Sequence, residues 1–419
     1  MINRALRDDF PLADLADARS RTLALAADLR DDQLAVPKLE IINPILWELG
    51  HIAYFAEFWI SRNIFGASPL IPNADRLYDS AKVAHDARWS LPLPSRSETL
   101  SFMEREFERL FVPDSDFDPR AKYFYELALR HEDMHAEALV YTRQILGYPT
   151  PSYVAINAPK GGPLPGDAHV SGGRFRIGSL PGDGFVFDNE KWAHEVDLKP
   201  FQIALAPVTN AEFGAFVADG GYKQRKFWSE SGWQWCENER AEQPVYWNRE
   251  NKTRRSFDRE VALGDHEPVC NVNKFEADAY CLWAGRRLPS EAEWEVAATG
   301  GDRKRYPWGD HPAATADHAN LDGLRGGTCD VGTLPAGDSP LGCRQMMGNV
   351  WEWTSSAFEP YPGFVVDPYA EYSEPWFGTH FVLRGGAWTT RNRLVSTRWR
   401  NFYRPHRRDV MSGFRTVKL

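Results

Sequence analysis

The hydrophobic pattern of the sequence changes near residue 150, and this change divides the chain into two kinds of fold. Before it, apolar residues recur with helical spacing over four long stretches. After it, residues 151–168 are rich in proline and glycine and predict a linker. The chain's 419 residues also exceed the usual size of one domain. The pattern therefore predicts a helical domain over 1–150, this linker, and a second domain over 169–419.

Four helical segments in the first domain predict a four-helix bundle. They combine helical periodicity with end signals, such as Ser97 and Glu98 near the start of the third and Gly147 after the fourth. The predicted segments are Leu12–Leu34, Pro44–Ile64, Ser95–Phe111 and Pro119–Leu146.

The second domain has a different pattern, with short alternating strands such as Gly173–Ile177 and many Gly, Pro, Asn and Asp turns. Only two segments have a clear helical pattern, Asn210–Asp219 and Lys274–Trp283. Such a sequence predicts a compact α+β domain with long, aromatic-rich loops.

The charge and composition of the chain limit its possible binding partners and its cellular compartment. The net charge of −9, without a long basic run, argues against nucleic acid. No apolar stretch approaches the roughly 20 residues that span a bilayer. The N-terminal MINRALRDDF lacks the apolar core of a secretory signal, so we expect a cytoplasmic protein without membrane partners. The five cysteines include no CxxC and predict neither a disulfide framework nor a zinc finger.

Three histidines in the predicted bundle carry the strongest chemical signal. His131 and His135 stand one helical turn apart, so both imidazoles can reach one ion. His51 lies in an almost wholly apolar helix, where a metal would satisfy a buried imidazole. A single such histidine is usually structural, and the combination is what indicates a metal site. The spacing suits iron(II) with open positions or tetrahedral zinc and does not choose between them.

The HExxH pattern formed by His131, Glu132 and His135 is also that of zinc proteases. Those enzymes take their third ligand from further downstream, whereas the best candidate here, His51, lies 80 residues upstream. The sequence therefore disfavours a protease.

An ordered series of motifs in the second domain resembles the formylglycine-generating-enzyme, or sulfatase-modifying-factor, fold, a variant of the C-type lectin fold. The motifs are GGRFRIGS (172–179), PVTNAEF (207–213), RRLPSEAEWEVAA (286–298), YPWGD (306–310), GNVWEWT (348–354), LRGGAW (383–388) and SGFR (412–415). The first domain is similar to the DinB-like bundle. The expected fold class is therefore a DinB-like four-helix bundle followed by a C-type-lectin-like domain.

The order of the two domains resembles the sulfoxide synthases of ergothioneine biosynthesis and their relatives, the ovothiol and selenoneine synthases. The resemblance implies that His51, His131 and His135 bind Fe(II). It also implies that hercynine (N-trimethylhistidine) or histidine reacts with a thiolate or selenolate, with O2 as co-substrate. A formylglycine-generating enzyme is disfavoured, because 389–400 lacks that family's reactive cysteines. The lectin-like domain is then expected to bind substrate.

The resemblance also assigns substrate-binding residues. Tyr361, Asn401 and Phe402 are expected to line the hercynine pocket, where an aromatic face attracts a quaternary ammonium. Tyr361 and Tyr403 are the expected catalytic residues, and Tyr403 is also expected on the donor side together with Arg88.

At three positions, this sequence has a different residue from the enzymes that use γ-glutamylcysteine. Phe358 replaces a catalytic tyrosine and cannot donate a proton, so either Tyr403, Tyr54 or Tyr78 takes that role or the mechanism does not need it. Met134 replaces a glutamine before the last ligand. We expect both Phe358 and Met134 to contact substrate.

The third departure concerns the donor, because Leu91 stands where a second arginine would accompany Arg88. A single guanidinium is a poor clamp for a dicarboxylate, which disfavours γ-glutamylcysteine. The ovothiol type needs a further methyltransferase domain. Segments 43–59, 78–94 and 401–410 look most like the selenoneine branch.

The sequence therefore predicts an iron(II)- and O2-dependent enzyme that forms a C–Se bond at the imidazole C2 of hercynine from a selenosugar. The alternatives are a sulfoxide synthase using cysteine or another thiol, a zinc-dependent thiol transferase, and a ligand-binding protein without activity.

Overall fold

The computed structural model describes residues 10–111, 120–152, 156–250 and 252–419. The chain forms two compact units, of which the first ends at Thr142 and the second begins at Arg143. None of the helices within these described ranges is both long enough and apolar enough to cross a membrane.

The first unit is helical, as predicted, and its long helices supply the candidate metal ligands. The third helix, α3, begins after Pro44 and continues beyond Ala56 as a π-helical turn, Glu57–Arg62. The helices are α1 (Leu12–Ala27), α2 (Asp31–Ala35), α3 (Ile45–Ala56), α4 (Ala74–Tyr78), α5 (Arg96–Arg109) and α6 (Ala121–Leu146).

Two local predictions for this unit are wrong. Leu12–Leu34 is not one helix, because Arg30 is extended and its backbone N–H donates to the side chain of Gln33, which starts α2. Helix α5 is capped by Ser95, whose hydroxyl accepts from the N–H of Glu98, and not by Ser97. Pro119, the predicted start of the last helix, lies outside the described residues.

The second unit combines small sheets with four α-helices among its described residues. One sheet has the strand order β1-β4-β13-β8, another β11-β10-β9-β12, and β2–β3 and β5–β7 form antiparallel ribbons. The elements are β1 (Asp167–Val170), β2 (Gly173–Ile177), β3 (His194–Leu198), β4 (Phe201–Ala204), α7 (Asn210–Ala218), α8 (Glu230–Asn238), β5 (Trp247–Asn248), β6 (Thr253–Ser256), β7 (Arg259–Ala262), α9 (Lys274–Trp283), β8 (Arg286–Arg287), α10 (Glu291–Thr299), β9 (Trp351–Ala357), β10 (Phe381–Arg384), β11 (Asn401–Tyr403), β12 (Ser412–Gly413) and β13 (Val417–Lys418).

Helices α8 and α10 are missing from the sequence-based prediction. Both have nine residues, and so does α7, which was predicted, so length alone does not account for the omission. In α8, Gly232 and Asn238 are also poor helix formers. In α10, Ser290 caps the first turn and Trp294 is fully buried in the core beside the first sheet. The indole N–H of Trp294 donates to Glu352 of β9, which also forms a buried ion pair with Arg415.

Candidate metal centre

His51 lies in the middle of α3, a helix that is buried on almost every side. Its Nδ1 is 2.7 Å from the backbone carbonyl oxygen of Tyr78, at the end of α4. Because a carbonyl oxygen can only accept, Nδ1 carries the proton and Nε2 presents its lone pair. The ring also stacks on the indole of Trp47, with centroids 4.7 Å apart and planes 10° apart. These contacts fix both the tautomer and the orientation of the imidazole.

His131 and His135 lie one turn apart on α6, on the same face of the helix. The ring of His131 stacks on Phe55, with centroids 3.6 Å apart and planes 5° apart. The Nδ1 of His135 donates to the Glu48 carboxylate, which leaves Nε2 with the lone pair. The His135 side chain is 20% exposed, whereas His51 and His131 are buried, so His135 marks the accessible side of the group.

The Nε2 atoms of the three histidines lie close to one another. The Nε2 of His131 is 3.2 Å from that of His51 and 3.1 Å from that of His135. Among the described residues, these three form the one group of at least three His, Cys, Asp or Glu side chains whose ligand atoms all lie within 4.8 Å of one another. Because the Nδ1–H groups of His51 and His135 donate to Tyr78 and Glu48, the lone pairs of these two rings are on their Nε2 atoms. These two lone pairs would repel each other without a cation between them. The donors fit a divalent transition ion.

Two of these imidazoles are held in the neutral form that a metal requires. Burial, and then the electrostatic effect of the neighbouring His135, lowers the pKa of His51 to about 3. The same two causes bring the pKa of His131 well below its ordinary value. At neutral pH, ion binding to these two rings therefore displaces no proton.

Glu48 is a buried acid that the sequence reasoning missed. Its Oε2 accepts from His135, and its Oε1 accepts from the Asn43 amide at 2.5 Å. Burial alone would raise the pKa of Glu48, but His135 and Asn43 lower it to about 2. The available signal was a lone carboxylate within the apolar run of α3, which is costly to bury without a partner.

The acid of the HExxH pattern is engaged elsewhere. Glu132 is buried, and the Nε and Nη2 atoms of Arg19 donate to its carboxylate at 2.9 and 3.2 Å. A protease base must reach a metal-bound water, and this carboxylate already forms a bidentate ion pair. The geometry agrees with the sequence in disfavouring a zinc protease.

Four other predicted residues lie in the first unit. Arg88 donates to the Asn43 side-chain oxygen at 2.6 Å, and its guanidinium lies 4.0 Å from the Trp47 ring centroid. Met134 is partly exposed on α6. Tyr54 and Tyr78 are buried, and burial raises both pKa values, that of Tyr78 to about 12. Such hydroxyls are poor proton donors.

In the second unit, three predicted aromatic residues gather near Arg400. Phe358 is fully buried and stacks on Phe402, with centroids 4.0 Å apart and planes 13° apart. The Arg400 guanidinium lies 5.0 Å from the Phe358 ring centroid and 4.1 Å from that of Tyr361. The Tyr361 hydroxyl is 3.4 Å from Glu291, which pairs with Arg400. Burial, and then Glu291, raises the pKa of Tyr361, so this hydroxyl is a weak acid.

Strand β11 carries the remaining predicted site residues of this unit, Asn401 and Tyr403, on either side of Phe402 in sequence. Successive side chains of a strand point to opposite faces, so Asn401 and Tyr403 lie opposite Phe402. The side-chain oxygen of Asn401 accepts from the backbone N–H of Phe402 at 2.9 Å. The guanidinium of Arg407 lies 5.1 Å from the Tyr403 ring centroid. Among the expected pocket residues, Phe402 thus shares no face with Asn401.

Comparison with known proteins adds family information to this geometry. Residues 154–419 match the sulfatase-modifying factor enzyme 1-like domain, and residues 14–139 match the DinB superfamily. These matches confirm the expected fold class, a DinB-type helical domain followed by a formylglycine-generating-enzyme-like domain.

Full-length relatives share both domains. The hercynine oxygenase of Mycobacterium tuberculosis is 37% identical over 419 residues, covering 96% of this chain and 96% of that protein. The hercynine oxygenase of Mycolicibacterium thermoresistibile is 38% identical over 429 residues, covering 96% of this chain and 93% of that protein. The formylglycine-generating enzyme of Streptomyces coelicolor is 32% identical but covers only 57% of this chain and 84% of its own length.

Proposed function

The chain belongs to the hercynine oxygenase family of oxidoreductases, and from that premise we propose that it joins the sulfur of a small thiol to the imidazole C2 of hercynine, with iron(II) as its metal and O2 as its co-substrate. The observation that carries the proposal is the convergence of the His51, His131 and His135 Nε2 atoms. Three imidazole nitrogen donors leave other positions of a six-coordinate ion open.

The proposed reaction balances with one O2 per turnover. The C2–H bond of hercynine and the S–H bond of the thiol break, and a C–S bond forms. One oxygen atom stays on sulfur as a sulfoxide, and the other leaves with both hydrogens as water. The four electrons that reduce O2 come in equal parts from C–S bond formation and from oxidation of the sulfur.

The proposed roles of the first unit follow from its contacts. His51, His131 and His135 would hold iron(II), which supplies the redox chemistry with O2 when bound. Because His51 and His131 are neutral, they can bind the metal without releasing protons. Glu48 orients His135 by accepting its Nδ1–H. Met134 remains a proposed substrate contact.

In the second unit, we propose that Tyr361, Asn401 and Phe402 contact hercynine and that Phe358 contacts it from the same aromatic group. An aromatic face attracts a quaternary ammonium by about 1–2 kcal/mol when water is excluded. Tyr403 is the better candidate for proton donation, because the Tyr361 hydroxyl is nearly buried and faces a carboxylate.

The sulfur donor replaces the selenosugar as the leading proposal. The full-length relatives are hercynine oxygenases, and no comparison supports selenium specificity. A selenosugar therefore stays only as one arm of the test below.

The test is incubation of the iron(II)-loaded chain with hercynine and O2, using cysteine, γ-glutamylcysteine and a selenosugar as separate donors. We expect mass spectrometry to detect a hercynine sulfoxide adduct with a thiol, and O2 consumption in equal amount. The His135→Ala variant should lose both, whereas His169→Ala, which changes an exposed histidine of β1, should not.

Product formed without O2 would contradict the proposal and favour the zinc-dependent transferase. Product only with the selenosugar would reinstate the selenium donor. No product with any donor, from protein that retains iron, would refute oxidation of hercynine.

A further inference from the structure

We propose that Arg88 is a positioning residue that fixes the orientation of two of the three histidines, His51 and His135, through two separate sets of contacts. The inference deepens the proposed function, because it rests on these histidines being the metal ligands. It gives Arg88 a role beyond the donor binding that the sequence suggested.

The first set of contacts runs from Arg88 to His135 through Asn43 and Glu48. A guanidinium can only donate, so the Asn43 oxygen faces Arg88 at 2.6 Å and the Asn43 amide nitrogen faces Glu48. A carboxylate can only accept, so Glu48 takes the Nδ1–H of His135. Arg88 fixes the orientation of the Asn43 amide, and Asn43 in turn holds the Glu48 carboxylate in the position from which it orients His135. The carboxylate itself, which can only accept, places the His135 proton on Nδ1.

The second set runs from Arg88 to His51 through Trp47. The guanidinium lies over one face of the indole, 4.0 Å from its ring centroid. Trp47 in turn stacks on the imidazole of His51 at 4.7 Å. The indole N–H donates to the Leu77 carbonyl at 2.7 Å, so the indole cannot slide along the stack. Removing Arg88 would loosen one side of Trp47 and, through it, the ring of His51.

Only arginine can make both sets of contacts at once. Its planar guanidinium lies over the Trp47 ring while an Nη1–H donates to the side-chain oxygen of Asn43. A lysine ammonium is a point charge without a flat face. We therefore expect Arg88→Lys to retain part of the effect and Arg88→Met to lose the directional hydrogen bond.

The experiment measures iron(II) affinity by anaerobic chelator competition, without hercynine or a thiol donor. Residues that orient metal ligands typically change affinity by about 10–100-fold. We expect Arg88→Met and Asn43→Leu each to weaken iron(II) binding within this range, and Arg88→Lys by less. The matched control is Arg76→Met, an exposed arginine of α4. Circular dichroism checks that each variant keeps its helices.

The double variant Arg88→Met/Asn43→Leu separates positioning from general damage. If both residues act through Glu48, the double variant should lose much less affinity than the product of the two single losses. Equal iron(II) affinity in wild type and a folded Arg88→Met variant would overturn the inference, even if the KM for the donor rose. If Arg88→Met did not fold, Arg88→Lys and Asn43→Leu would decide by the same criterion.

The measured iron(II) affinity does not depend on whether the chain oxidises hercynine. Weakened iron(II) binding in these variants would support the inference even if hercynine were never oxidised. Unchanged iron(II) binding alongside normal sulfoxide formation by wild type would remove the inference and leave the proposed function intact.

Discussion

Glu106 of α5 is a fully buried carboxyl group whose replacement should change the pH dependence of stability. One of its oxygens accepts the Ser61 hydroxyl at 2.6 Å, and the other has no hydrogen-bond partner among the residues that the structure describes. The charged groups that act on it are Glu57 and Arg19, which are buried, and the partly exposed Arg109. Burial raises the pKa of Glu106 to about 8, so the folded chain holds it protonated at neutral pH.

A folded-state pKa above the unfolded value stabilises the chain at low pH. That stability is lost as pH rises from about 4.5, the ordinary glutamate pKa, to about 8. At about 1.4 kcal/mol per unit, the upper bound is about 5 kcal/mol. Relaxation around the ionised carboxylate reduces this, and we expect about 2–3 kcal/mol. Glu106→Gln cannot ionise and retains an acceptor for Ser61, so it should remove this loss.

The assay is urea unfolding of the full chain, followed by circular dichroism at pH 5 and pH 9. Glu104→Gln, at an exposed position of the same helix, is the control. We expect Glu106→Gln to match the control at pH 5 and to be more stable by about 2–3 kcal/mol at pH 9. An equal difference from the control at both pH values would refute a raised pKa at Glu106.

Three further substitutions test other parts of the structure. A Cβ at Gly50 would lie 2.2 Å from the buried Tyr78 ring, so Gly50→Ala should shift the carbonyl that holds His51 and lower iron(II) retention, measured after desalting. Arg400→Met leaves Glu291 without its main partner, and urea unfolding should show a loss of about 3–5 kcal/mol. Asn349, fully buried with φ 69°, donates to the Cys329 carbonyl, and Asn349→Ala should lower the melting temperature by several degrees.

The three histidines could be chosen from the sequence because their signals are local. His131 and His135 share a helical face by spacing alone, and His51 is conspicuous as a polar ring in an apolar helix. The residues that orient them could not be chosen this way. Asn43 and Arg88 are 45 positions apart, and their hydrogen bond depends on how the segment after α4 folds back.

The helical first unit was predictable because its long helices repeat their apolar pattern over many turns. The second unit was predictable only as a class, because its α-helices have ten residues or fewer and most of its strands have five or fewer. The sheet face to which a side chain points depends on the exact position of its residue in the strand. A shift of one position turns the side chain to the opposite face. Asn401 and Phe402 illustrate this, because they are adjacent in β11 and their side chains point to opposite faces of the strand.

The most direct test of the central claim is iron K-edge X-ray absorption on the chain loaded anaerobically with iron(II). We predict scattering from three imidazole rings in the wild type and from two in His51→Ala, with the remaining ligands being light atoms. A wild-type spectrum with fewer than three imidazoles, or one unchanged by His51→Ala, would contradict it.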